Sequence, residues 1–271
     1  MPVEVEVEVE WRKLRADQLR EQARRNAIII VPIGSLEQHG PHLPVEVDSL
    51  LGEAVASRVA RLVAEHEPVL VLVLPMVWTG LSEHHMTFGG TVTLDAPAFS
   101  ALIEGICRSL VRHGFKRIVL LNAHGGNDNA LRCITDHLSP KLGVPILQFT
   151  YWYAAAESIA EILEQQTALR HACEAETSMM MALRPELVAG DRIGLVAAAN
   201  RTSEIKELVG DGVYRWRTLG SISSAGVIGR PDAASAEKGE RLLGAIAGTI
   251  AMKLCNRELW SLPWRSDPPE P

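Results

Sequence analysis

The run Ala27-Ile28-Ile29-Ile30-Val31-Pro32-Ile33 limits this chain more than any other stretch, because it contains no polar side chain. A strand with one wet face alternates apolar and polar residues. A run that is apolar at both parities is buried on both faces, so the sheet that holds it needs a layer above and a layer below. Further apolar runs lie at 68–77, 116–122 and 144–150. Segments of helical period separate them at 49–65, 97–113 and 128–138, and another precedes the first strand at 13–25. Strands alternating with helices predict an α/β fold, a three-layer α/β/α sandwich with a mostly parallel central sheet. Helices are also expected at 154–165 and 175–184, with a long last one over about 233–257. Residues 186–231 carry seven glycines and read as loops or short strands. Residues 3–10 alternate Val and Glu and fit either an edge strand or a disordered arm, and 266–271 fit a disordered tail. No repeat or low-complexity linker interrupts the 271 residues, so one domain is expected, with its core at about 27–257.

Charge and cysteine usage narrow the partners. The formal charge is −6, and Lys and Arg are scattered over expected helix surfaces, so no basic patch points to nucleic acid or an anionic membrane. No apolar run reaches the roughly 18 residues of a membrane helix. The acidic start Met1-Pro2-Val3-Glu4 has neither the basic nor the apolar region of a secretion signal. Cys107, Cys133, Cys173 and Cys255 are far apart and form no CxxC pair, which fits a reducing compartment. A cytoplasmic protein is expected. Neither GxGxxG nor GxxxxGK[ST] follows a predicted strand, which argues against a nucleotide site.

Ligands of open α/β sheets bind beyond the carboxyl ends of the strands, and polar clusters follow the first three strands. After the first come Glu37 and His39, two apart, among Gly34, Gly40, Pro41 and Pro44, with Asp48 starting the next helix. If the chain stays extended, Glu37 and His39 share a side. The Gly/Pro density implies a fixed backbone, which favours a metal site over a solvated loop. Asp48 alone fits an N-cap as well as a ligand. After the second strand, Trp78 and His85 are candidates for a pocket wall. After the third, Asn122-Ala123-His124-Gly125-Gly126-Asn127 reads as a tight turn or as a ligand His on a backbone open to close approach, with Asn122 and Asn127 fixing the loop. A fourth cluster, His171-Ala172-Cys173-Glu174-Ala175-Glu176, offers two carboxylates that do not share a helical face, so one Glu turns to the site. Trp152, at the end of the strand over 144–150, suits either core packing or stacking on a planar ring. Glu37, His39, Asp48, His124 and a Glu near 176 form a mixed N/O ligand set suited to Zn²⁺ or Mn²⁺, as a pair if Asp48 bridges. Such a pair activates water and polarises a carbonyl. His171 is placed to pass a proton to a leaving nitrogen. That chemistry is amide hydrolysis.

These residues stand in five stretches that resemble the creatininase (creatinine amidohydrolase) family over about residues 27–250. The stretches are Gly34-Ser35-Leu36-Glu37-Gln38-His39-Gly40-Pro41-His42-Leu43-Pro44 with Asp48; the run 82–91; the run 122–127; the run 171–178; and Gly226-Val227-Ile228-Gly229-Arg230-Pro231 leading to Glu237-Lys238-Gly239-Glu240. The resemblance implies a three-layer fold and a dinuclear centre of two divalent ions, Zn²⁺ and/or Mn²⁺. It implies a small-molecule amide as substrate, cleaved at a non-peptide C–N bond, and a homo-oligomer that is a hexamer. It places metal ligands at Glu37, His39, Asp48, His124 and Glu176, a catalytic histidine at His171, and substrate contacts at Ser82 and Trp152, with His85 added as pocket lining. Creatininase itself carries Tyr and Glu where Gly125 and Gly126 stand, and a Trp-Asp pair shortly before the catalytic histidine, where this chain reads Thr167-Ala168-Leu169-Arg170. Glu176 is then expected to replace the missing acid. Other branches of the family trim the mycofactocin precursor peptide or hydrolyse a cyclic polyol ketone. A non-catalytic binding protein on the same fold is the remaining alternative.

Overall fold

The computed structural model describes residues 7–66, 70–199 and 215–262. Four parallel strands form the sheet: β1 (Ile28–Ile33), β2 (Val71–Val73), β3 (Arg117–Asn122) and β4 (Ile146–Thr150), in the spatial order β2-β1-β3-β4. Ile30 lies opposite Val73 on one side and Val119 on the other. All six β1 residues are buried, and alternate ones face opposite layers. Ile28 and Ile30 join a core with α2 (Val47–His66), α7 (Glu174–Leu183) and α9 (Ala236–Cys255). Ile29, Val31 and Ile33 pack against α3 (Ala96–Arg112) and α4 (Asp128–Leu142), through Phe99, Ile103, Leu131 and Ile134. The three-layer α/β/α arrangement expected from the doubly apolar run is therefore present. No helix among the described residues is long and apolar enough to cross a membrane.

Several elements differ from their sequence-based expectations. The long second strand shrinks to Val71–Val73, while 67–69 lie outside the described residues. Pro75 has no N–H to give the ladder, so the chain leaves β1 there and meets it again at Val77, whose N donates to Pro32 O and whose O accepts from Gly34 N, each at 2.9 Å. Of the Val/Glu alternation only 7–10 is described; Val73 N donates to Val9 O at 2.8 Å, and Glu10 makes one bridge to Val73. The helix expected at 154–165 is two, α5 (Tyr151–Ala154) and α6 (Ala156–Ile162), broken where Ala155 adopts φ −117°. The glycine-rich stretch contains a further helix, α8 (Gly190–Ala199), where loops or strands were expected; Gly190 and Gly194 obscured it, since glycine is the weakest helix former after proline. Residues 200–214 and the tail from 263 lie outside the described residues. The first helix, α1, spans Ala16–Arg24.

Candidate metal centre

The segments that follow β1, β2 and β3 meet beyond the sheet's carboxyl edge, and Asn127 ties them together. Its Nδ2 donates to Gly34 O at 3.0 Å and its Oδ1 accepts from Leu81 N at 2.9 Å. Past β1 the chain stays extended, with Leu36 bridged to Val92 and Glu37 N donating to Val45 O at 2.9 Å. Glu37 and His39 therefore turn to the same side and are fully enclosed. Gly40 then reverses the chain at φ 64°, where a Cβ would be strained and would also stand 2.6 Å from Val227. The turn leads into α2, which begins at Val47, so Asp48 lies within its first turn and not at its cap.

Asp48 stands between two imidazoles. Its Oδ1 is 3.2 Å from His39 Nε2, and its Oδ2 is 3.1 Å from His124 Nδ1. Glu37 Oε2 approaches the same His124 Nδ1 at 3.1 Å, and Glu176 Oε1 lies 3.9 Å from His39 Nε2. The far nitrogens of both rings face backbone carbonyls: His39 Nδ1 faces Glu37 O, and His124 Nε2 faces Leu81 O, each at 3.1 Å. A carbonyl only accepts, so those nitrogens carry hydrogen, and the inward ones can give up their protons and bind a cation. Inward nitrogens facing carboxylate oxygens at such distances need a positive charge among them, either a proton on each ring or a metal ion. His39 Nε2, Asp48 Oδ2 and Glu176 Oε2 are buried without a hydrogen-bond partner despite these close approaches. The donor set and its unmatched atoms fit a divalent cation of the Zn²⁺ or Mn²⁺ kind.

Protonation follows the same field. Burial opposes charging His39, but Asp48, Glu176 and Glu37 outweigh it and hold the ring at a pKa of about 10. Burial likewise opposes charging His124, and Glu37 and Asp48 hold it well above the imidazole range. Glu37 stays well below the carboxylate range: burial pushes it up, but His124, His85 and His171 prevail. Glu176 goes the other way, to about 8, because burial and the charges of Asp48 and Glu37 exceed the pull of His39.

His171 sits above this cluster. Its Nε2 donates to Gln38 O at 2.8 Å, which leaves Nδ1 as a lone pair 3.7 Å from Glu37 Oε1. Burial and then the charge of His39 lower its pKa to about 3. His85 Nε2 lies 3.3 Å from Glu37 Oε1, and His84, to which sequence reasoning gave no role, groups with Glu37 and His124 within possible ligand distance. The adjacent His84-His85 pair was the available signal. Ser82 is fully buried; its Oγ donates to Glu37 Oε2 at 2.8 Å and contacts His124 Nε2 at 3.1 Å and Ser35 Oγ. It thus stands behind Glu37 and His124, away from the pocket wall. Trp152, half-buried on α5, lines the cavity of about 280 Å³ that opens onto Glu37, Asp48, His124, His171 and Glu176. Asn122 fixes the His124 turn: its Nδ2 donates to His124 O at 2.8 Å, and its Oδ1 accepts from His124 N at 3.1 Å. Gly126 is needed for close approach of backbone to backbone, since a Cβ there would overlap Leu81 O and His124 Nε2; a Cβ on Gly125 would meet nothing.

The two carboxylates of α7 divide as their helical spacing requires. Glu176 faces the cluster. Glu174 points away, accepting from Glu164 N at 2.8 Å, Gln165 N at 3.0 Å and Lys238 Nζ at 2.6 Å. Lys238 is itself buried and also donates to Ala233 O at 2.7 Å. This pair clamps the loop that delivers His171 and Glu176 onto α9. Lys238→Met leaves the Glu174 carboxylate buried without a counter-charge. The expected loss is about 3–5 kcal/mol of unfolding free energy, measured by urea denaturation, and Glu174→Gln in the same chain should restore part of it. A loss under about 1 kcal/mol for Lys238→Met would contradict the clamp.

The sequence model of the Creatininase family, described as creatinine amidohydrolase, matches residues 12–254. A mycofactocin precursor peptide peptidase of Mycobacterium ulcerans (strain Agy99) is 32% identical over 230 residues, 83% of this chain and 84% of that protein. A creatinine amidohydrolase of Pseudomonas putida is 31% identical over 262 residues, 90% of this chain and 93% of that protein. Among solved structures, a Zn-Zn form of a mutant creatininase superposes with a TM-score of 0.77 at 27% identity, covering 94% of this chain and 99% of that one. A manganese form of creatininase gives the same TM-score at 26% identity and the same coverage. The fold and a His/carboxylate cluster able to hold metal thus coincide with a sequence match over nearly the whole length, and the chain belongs to the creatininase family of hydrolases.

Proposed function

We propose that the chain is a metal-dependent amidohydrolase that cleaves a C–N bond in a small cyclic or formyl amide. The observation that carries this is Asp48, whose two oxygens face His39 Nε2 and His124 Nδ1. Divalent ions bound here would be held by Glu37, His39, Asp48, His124 and Glu176, with the Asp48 carboxylate between the two imidazoles. Zn²⁺ or Mn²⁺ bound there supplies an activated water and a Lewis acid for the carbonyl oxygen. The chain's own groups do the rest. The Nδ1 lone pair of His171 accepts the proton released in the attack and delivers it to the departing nitrogen, while its Nε2–H is committed to Gln38 O. Ser82 and His85 hold Glu37 in place, and Trp152 offers an indole face to a planar substrate.

A second reading, a peptidase of the kind named among the relatives, is favoured by one observation. An outer cavity of about 820 Å³ adjoins the inner one and shares His84, Gly125, Gly126, Arg217 and Ile222 with it. That is more room than a single small ring needs. The test is turnover by the Zn²⁺- or Mn²⁺-loaded protein on cyclic amides, formyl amides and short peptides, repeated after chelation. Hydrolysis lost on chelation and restored by metal is the expected result. Undiminished hydrolysis by rigorously stripped protein would sink the metal-dependent reading, and cleavage of peptides alone would select the second.

A further inference from the structure

Two guanidinium side chains line the inner cavity beside the metal centre. Arg170 directly precedes His171 and is exposed, and Arg217 lies half-buried on the segment before Leu219. Among the described residues neither pairs with a carboxylate; the Arg217 guanidinium has one long contact, Nη2 to Ser221 O at 3.4 Å. Other arginines of this surface, such as Arg58, Arg132 and Arg230, sit on acids (Glu240, Asp128 and Asp232), while those without an acid among the described residues, such as Arg20 and Arg241, do not line this cavity. The acids that line the inner cavity, Glu37, Asp48 and Glu176, point into the His39–His124 cluster and are committed to it. Loaded with two divalent ions, that cluster has no surplus negative charge to offer the guanidiniums.

A neutral substrate gives this arrangement no purpose, since two cations beside a metal pair repel each other and the metals. An anionic substrate gives it one. A guanidinium presents a planar fork of donors that matches a carboxylate, and low-dielectric walls strengthen the match. Trp152, Leu169, Leu219 and Ile228 supply apolar wall to the same cavity.

We propose that Arg170 and Arg217 bind a free carboxylate of the substrate, so that the amide cleaved belongs to a carboxylate-bearing molecule, either an N-acyl amino acid or the carboxyl-terminal residue of a peptide. This rests on the amidohydrolase reading for the cleavage step, but the carboxylate site is testable by binding alone. N-formyl-L-leucine and its carboxamide form one matched pair of probes, and a leucine-ended tripeptide and its carboxamide form the other. Each is titrated calorimetrically into Zn²⁺-loaded protein of verified metal content, with turnover followed in parallel. Within at least one pair the acid is expected to bind roughly 10- to 100-fold more tightly than the amide. Arg170→Met and Arg217→Met should each weaken the acid about tenfold or more while moving the amide little. The preferred pair tells a small N-acyl amino acid from a peptide end. Equal binding of acid and amide in both pairs overturns the proposal, and so does no binding by any probe. An acid preference that survives in the Arg170→Met/Arg217→Met double variant also overturns it, because the carboxylate would then sit on the metals. Tight, arginine-dependent binding without turnover leaves the carboxylate site standing and counts against the hydrolase reading instead.

Discussion

Asp48→Asn should abolish hydrolysis, lowering kcat at least about 10³-fold, and should do so without unfolding the protein. The substitution preserves volume in the first turn of α2 and removes the charge that faces His39 on one side and His124 on the other. Without metal, Asp48 is a counter-charge that keeps the buried His39 and His124 rings protonated, so the metal-free variant should melt somewhat lower than the metal-free wild type. With metal the difference widens. A ligand that binds only the native state raises its stability by mass action, so the wild type should gain melting temperature on addition of Zn²⁺ and the variant should gain little or none. Thermal scans of both proteins, with chelator and with Zn²⁺, check this. An equal metal-induced shift in the two would remove Asp48 from the centre.

His171→Ala should separate chemistry from metal binding. The side chain is held by its contact to Gln38 O and presents its other nitrogen near Glu37, within reach of the His39–Glu176 end of the cluster. The expected loss in kcat is about 10²- to 10⁴-fold, the range of a positioned proton-transfer group, with metal content unchanged and KM moved little. His39→Ala serves as the contrast, because it should lose both metal and activity. If His171→Ala also releases metal, its role is that of a ligand and the proton-transfer assignment is wrong.

Much of this was legible in the chain because the central sheet leaves so little freedom. A run that is apolar at both parities, Ile28–Ile33, needs two covering layers, and its end fixes where polar groups can gather. The extended step from Glu37 to His39 and the Gly40 turn follow from local backbone preference, so both side chains could be placed from sequence alone. The division of labour between Glu174 and Glu176 was half legible. Helical spacing says that they face apart, but nothing local says which meets the cluster, because that depends on Lys238, 64 residues away. The resemblance named Ser82 as a substrate contact, and only the fold shows that it stands behind Glu37. Without that resemblance it looks like any loop serine until β1 and the segment after β2 are set side by side and its hydroxyl reaches Glu37. The expected long second strand failed on one residue, Pro75, and α8 stayed hidden behind its two glycines.

The most direct test of the account is the metal content of the purified, reconstituted protein, measured by elemental mass spectrometry on the wild type and on Asp48→Asn. The geometry around Asp48 predicts close to two Zn²⁺ or Mn²⁺ per chain in the wild type and a clear loss in the variant. Protein that takes up no divalent metal, or takes it up equally with and without the Asp48 carboxylate, would contradict the dinuclear centre and the hydrolase built on it.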